Sequence, residues 1–221
     1  MIPPQPPLLT LTDDEIVAVA IAERTFYAGD LPTVDCDSEQ ALLQASLRGR
    51  RSLIARGWID EEGDLTADLA LAERAAGATG FINVFLGDEE LSRLYWSLAT
   101  SLYASDVGWV IEGVEATGLH RFAPVTEQEV RDALNALVSA ALANAGEQAA
   151  PAGAWLIVSV LQENDPRLLA TRPGEVRVAS IQEGRLSPWN AAMPGDVPGW
   201  IDVAVAVIRD HQTSRAERRR A

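Results

Sequence analysis

"LIARGWIDEEGDLT", residues 53–66, reads as the end of a helix, a tight turn and a small wing. Gly57 supplies a left-handed C-cap, Trp58 and Ile59 start a short strand, "DEEGD" turns the chain, and Leu65 is the return. Working backwards, the spacing predicts a helix over 38–56, capped by Asp37 or Ser38. Leu43, Leu47 and Ile54 form its apolar face, with Leu42 and Leu53 beside them. Ahead of it, "TDDE" offers a capping box, Thr12 with Glu15, opening a helix over 13–28 that ends at Gly29. Forwards, Thr66 starts a third helix with Leu69, Ala72 and Ala76 on one face. A helix followed by a wing is either a DNA reader or a scaffold corner, and charge separates the two.

The 221 residues carry 18 basic and 32 acidic side chains, a net charge of −14. Such a field repels a duplex unless a basic patch is segregated on one face. Arg48, Arg50, Arg51 and Arg56 do cluster on the helix, but the wing carries Asp60, Glu61, Glu62 and Asp64. The segment before the helix, "GDLPTVDCD", adds proline and three aspartates. The arginines are expected to solvate the outer helix face and pair with these acids, so no nucleic-acid partner is expected. Every basic residue is arginine, which points to a GC-rich bacterial genome.

With 48% hydrophobic residues the chain is not a disordered one. A single domain of this length would bury roughly 70% of its unfolded surface. Cys36 is the one cysteine, which excludes an intramolecular disulfide and a cysteine-based zinc cluster. "MIPPQPPLLT" lacks the pattern of a secretory signal, and the apolar stretches fall short of the ~20 residues of a membrane span. A soluble cytoplasmic protein without membrane contact is expected.

After Gly77 the texture changes. "GFINVFLG", "RLYWSLATSLYA" and "GWVIEGVEATGLHRFAPV" read as strands, and Thr126 with Glu129 forms a second capping box. Val130, Leu134, Leu137, Val138 and Leu142 then make one helical face. Residues 143–153 read as a hinge. Beyond it come strands in "AWLIVSVLQE", "EVRVASIQEG" and "RLSPW", then a closing helix in "VPGWIDVAVAVIRD". A shift of 73 residues lays Phe81 on Ala154, Val84 on Ile157, Val130 on Val203 and Leu134 on Val207. The expected organisation is therefore an N-terminal helical and wing unit over 1–79, a strands-plus-helix half over 80–145 and a second over 153–212, forming one compact domain. The fold class is α+β: an antiparallel sheet of about six or seven strands, with helices at the N-terminus and after each half, and a quasi-two-fold repeat.

No catalytic constellation announces itself. His120 and His211 have no histidine or cysteine at metal-ligand spacing, so a structural or exposed role is expected for both. "DCDSE" at 35–39 lacks the glycine and distal glutamate of a calcium loop and suits a helix N-terminus better. Glu112 and Glu115 read as acids on a solvated strand face. No nucleophile elbow, phosphate loop or dinucleotide turn is present. Trp58, Trp96, Trp109 and Trp155 read as core, while Trp189 and Trp200 lie in a proline-rich loop and either anchor a partner or pack over a helix end.

The helical unit before the strands resembles the EspG family, cytosolic chaperones associated with type VII secretion in actinobacteria. The matching positions are Leu53, Arg56, Gly57, Ile59, Gly63, Leu65 and Leu69. The resemblance implies a central antiparallel sheet with helical bundles and a quasi-two-fold repeat. It implies a non-catalytic protein-binding factor without cofactor or metal, whose partner is a secretion substrate with an aggregation-prone tip. It carries over no site residues. From the residues themselves the nominated contact is the loop 103–109, where Tyr103 and Trp109 flank a polar tip containing Asp106; the alternative there is an ordinary hairpin loop. Two other functions stand beside the chaperone: a transcription regulator using helix 38–56, and an enzyme of unrecognised type.

Overall fold

The structure is a computed structural model that describes residues 8–25, 27, 29–78, 80–91, 94–105, 108–143, 154–161, 166–182 and 185–220, with 94–99 and 211–220 as backbone only. In chain order the first elements are β1 (Leu9–Thr12), α1 (Asp13–Ala22), α2 (Glu39–Ala55), α3 (Ala70–Ala76), β2 (Phe81–Gly87) and β3 (Leu94–Ser105). They are followed by β4 (Gly108–Glu115), β5 (Leu119–Val125), α4 (Glu127–Ala143), β6 (Trp155–Leu161) and β7 (Arg167–Arg172). The chain ends with β8 (Glu175–Gln182), β9 (Arg185–Leu186), β10 (Asn190–Ala192) and α5 (Val197–Arg220). The class is α+β and every recorded strand pairing is antiparallel. Ten strands stand among the described residues, against the six or seven expected. The excess includes β1, which the sequence hides in a proline-rich lead-in, and β10, which is only three residues long.

The chain forms two compact units. The first comprises residues 1–78 with 110–124, and the second 79–109 with 125–221. In the first unit the strand order is β1-β5-β4, with Leu9 opposite Phe122 and Leu11 opposite His120. Thr12 ends β1 and caps α1: its hydroxyl accepts from the Glu15 amide, and the Glu15 carboxylate accepts from the Thr12 amide. Helix α1 stops at Ala22, well before Gly29. The Thr25 amide reaches back to the Ala20 carbonyl at 2.9 Å and the Arg24 amide to Ile21 at 3.1 Å, a Schellman closure with Arg24 in the left-handed position at φ 52°. That position usually belongs to glycine, so an arginine there carries no stop signal. Helix α2 closes the same way with the expected residue: Gly57 has φ 72°, and Trp58 donates to Leu53. The wing follows as a single bridge, Ile59 to Leu65, around Gly63 at φ 92°.

Helix α2 is turned over relative to the sequence reading. Its buried residues are Ala45, Gly49 and Leu53, while Leu43, Leu47 and Ile54 are 58%, 51% and 52% exposed. The reason is close packing. A Cβ on Gly49 would sit 1.8 Å from the Asp14 carbonyl oxygen, so the two backbones touch where the side chain is absent. Charge reinforces the contact: Arg48 makes a bidentate pair with Asp14 at 2.7 and 2.8 Å, and Arg56 donates to Glu15 at 2.9 and 3.0 Å. Small residues admit α1, and the large ones are left facing outwards.

In the second unit the order is β3-β2-β6-β7-β8-β10, with β9 paired to β8. Phe85 lies opposite Ile157 and Ile157 opposite Ala170; these residues join Leu91, Trp155, Leu168 and Ala179 in one apolar cluster. Helix α4, opened by the Thr126–Glu129 capping box, packs on β6 and β7, and α5 packs on β3. Arg131 bridges the two helices, pairing with Glu127 at 2.6 Å and Asp202 at 2.5 Å.

The 73-residue echo falls on two strands that pair with each other. Val84 faces Val158 and Phe85 faces Ile157. The shift takes Val84 to Ile157 and Phe85 to Val158, so it lays β2 on the strand that β2 pairs with. The helices obey a different offset. The buried residues Val130, Leu134 and Val138 of α4 correspond to Val197, Ile201 and Val205 of α5, an offset of 67. The expected partner of Val130, Val203, is 48% exposed. The second half is six residues shorter between its first strand and its helix, which a single shift cannot register.

Candidate functional site

The most unusual chemistry lies inside the first unit. His120 is fully buried on β5, and the strand alternation that faces Phe122 into the core faces His120 there too. Its Nε2 lies 2.5 Å from Asp13 Oδ1 and its Nδ1 lies 2.6 Å from Glu112 Oε1. Both carboxylates are buried as well, at 1% and 0% exposure. Around them the network is completed by neutral donors. The Tyr27 hydroxyl donates to Glu112, and the Thr33 amide and hydroxyl each donate to Asp13 at 2.6 Å. The first turn of α1, the loop after it and the β4–β5 hairpin are thereby fastened at one point.

With its pKa raised to about 9, the ring at neutral pH is an imidazolium, and each of its nitrogens donates to one of the two carboxylates. Burial by itself would drive the imidazolium to lose its proton. The hydrogen bonds to Asp13 and then Glu112, with their negative charges, reverse this and hold the pKa up at about 9. For Asp13, burial pushes the carboxyl up, but the bonds from His120 and Thr33 outweigh it and leave the pKa below the usual value. Asp30, nearby, is raised, first by burial and then by the charges of Asp13 and Glu112. An imidazolium with both protons engaged has no lone pair to take a proton from a substrate. The Thr33 hydroxyl is directed at Asp13 and not at the ring, so the group is not arranged as a nucleophile with its base. Its chemistry is that of a buried, charge-assisted clasp.

Of these residues only His120 and Glu112 drew notice in the sequence, and Glu112 was read as solvated. Its burial corrects that reading. Glu115, three residues on, is exposed and pairs with Arg121 at 2.7 Å. Asp13 was read only as part of a helix start. The available signal was the alternation of "LHRF": a histidine in phase with a buried phenylalanine needs polar partners.

Tyr103 is fully buried and lies tilted against Phe81, with ring centroids 5.9 Å apart, and Trp109 is 5% exposed. Both aromatics therefore belong to the core and present no surface as anchors, and Asp106 lies outside the described residues. Trp155 is fully buried, Trp58 is half-buried under the Arg56 guanidinium at 3.5 Å, and the Trp96 side chain lies outside the described residues. Trp189 packs against the apolar cluster of the second unit, while Trp200 lines a cleft of about 270 Å³ with Arg167, Ser180 and Asn190. A larger groove of about 510 Å³ in the first unit runs along β1 between Leu8, Trp58 and Leu71. The wing's acids are exposed, as is Cys36. Among the described residues no helix is long and apolar enough to cross a membrane.

No protein-family model matches the chain, and no curated protein matches it. Among solved structures it is similar to the type VII secretion system chaperone EspG5 of Mycobacterium tuberculosis, determined in complex with a PE25–PPE41 dimer. The TM-score is 0.51 at 13% identity, over 92% of this chain and 96% of that one. At that identity the likeness is one of fold, and at that level it agrees with the family resemblance carried by Leu53, Arg56, Gly57 and the wing.

Proposed function

We propose that this chain is a non-catalytic, protein-binding chaperone of the cytoplasm that holds a secretion substrate of the PE–PPE kind before export. The observation that carries this reading is the extent of the likeness to EspG5, which spans nearly the full length of both chains and not a shared corner alone. The acidic wing and the net charge of −14 favour a protein partner over a nucleic acid. The clasp around His120 gives the helical unit a fixed attachment to its hairpin, as a preformed binding scaffold needs.

The test is co-expression of this chain with each PE–PPE pair encoded by its own host, followed by size-exclusion chromatography and native mass spectrometry. A stoichiometric ternary complex, with the PE–PPE pair more soluble than when expressed alone, is the expected result. Failure of every pair to co-elute with the folded chain overturns the proposal.

A further inference from the structure

The outer face of α2 is left without a structural reason. Leu43, Leu47 and Ile54 are each more than half exposed. At 3.6 residues per turn they fall on one stripe about 16 Å long, roughly three turns of helix. The opposite face secures the helix through Gly49 and Leu53, and the stripe leaves more than half of its surface open. Charge on this face is specific too. Of the four arginines of the α2 segment, Arg48 is taken by Asp14 and Arg56 by Glu15. Arg50 and Arg51 sit between Leu47 and Ile54 at the borders of the stripe, and among the described residues neither makes an ion pair. The Arg50 guanidinium extends over the wing at Gly63. A chain of net charge −14 thus keeps two uncommitted cations beside its exposed aliphatic row.

We propose that this face docks an acidic amphipathic helix of about three turns, supplied by another protein. Its aliphatic residues, at helical spacing, would lie along Leu43, Leu47 and Ile54, and its Asp or Glu residues would meet Arg50 and Arg51. A second copy of this chain is the weaker occupant. In a two-fold pair of α2 helices the middle of the stripe lies between Leu47 and Arg50, so Arg50 and Arg51 of both copies would crowd the axis. The contact is separate from substrate capture as proposed above and does not depend on it.

The probes are two synthetic helical peptides of eighteen residues with the same leucine stripe, one bordered by glutamate and the other by lysine, followed by fluorescence anisotropy. The wild-type chain should bind the glutamate peptide at least tenfold more tightly than the lysine peptide, with the preference falling as salt is added. Arg50→Glu with Arg51→Glu should reverse the preference, and Leu47→Glu should abolish binding of both. All three sites are exposed, so the variants should melt with the wild type, and circular dichroism checks this. Equal binding of the two peptides, no binding of either, or a wild-type dimer that Leu47→Glu dissociates overturns the proposal.

Discussion

Raising the pH should loosen the clasp at His120. In the unfolded chain the imidazole has its ordinary pKa of 6.5; in the fold it is held at about 9. A cation stabilised by folding contributes fully below the unfolded value, and its contribution is lost as pH rises through the folded one. At ~1.4 kcal/mol per pH unit, the displacement from 6.5 to about 9 corresponds to about 3 kcal/mol of stability, present at pH 6 and gone by about pH 10. Asp13 works in the opposite sense: its pKa is lowered by folding, so its contribution is present above 3.8 and is lost as pH falls below it. Together they set a plateau from about pH 4 to 6.5 with losses on both sides. Urea denaturation at half-unit steps from pH 5 to 10 measures the curve. His120→Gln removes the cation but leaves an amide for one carboxylate; at pH 6 it should cost about 3–5 kcal/mol, as breaking a buried ion pair does. The two curves should converge towards pH 10. Parallel curves between pH 6 and 9.5, or a His120 resonance titrating near 6.5 in the folded protein, would show that the clasp does not hold a buried cation. The resonance in the wild type decides the matter even if the variant does not fold.

Gly49→Val should separate α1 from α2, since its Cβ alone would lie 1.8 Å from a backbone oxygen; a loss above about 2 kcal/mol in urea denaturation is expected. Leu134→Ala, at a fully buried position of α4, should cost about 2–5 kcal/mol by the same assay, whereas Leu137→Ala, 43% exposed on the same helix, should cost far less. In a mobility shift with random duplex at low salt the chain should show no submicromolar binding, and tight binding that weakens steeply with salt would reinstate the wing as a DNA reader.

Local signals in this sequence were faithful where their chemistry is local. The capping boxes at Thr12 and Thr126, the left-handed Gly57 and the turn at Gly63 all form from residues within a few positions of each other. The face of α2 was misread for the opposite reason. Periodicity identifies a stripe of large apolar residues, but which stripe is buried depends on α1, whose backbone comes close enough to require Gly49. The clasp was out of reach in the same way: Asp13 and His120 stand 107 positions apart, and only the pairing of β1 with β5 brings them together. The loop at 103–109 was nominated on the bulk of Tyr103 and Trp109, and bulk alone fits a core as well as an interface. The 73-residue echo does not carry into the helices, where the buried positions of α4 and α5 are 67 residues apart.

The seam between β2 and β6 bears on how the chain comes together in time. Hairpins β2–β3 and β6–β7 each join neighbouring segments, while the seam joins Val84 to Val158 and must close a far longer loop. The entropy of that closure grows with loop length, so the seam carries a larger closure cost than either hairpin. A chain in which the seam is open presents "FINVFLG" and "WLIVSVL" each as an unpaired, almost wholly apolar edge. Each is complementary in register to the other, on the same chain or on a second one. At high concentration during synthesis, β2 of one molecule can therefore zip onto β6 of another, and the product is a domain-swapped dimer built from the native pairing.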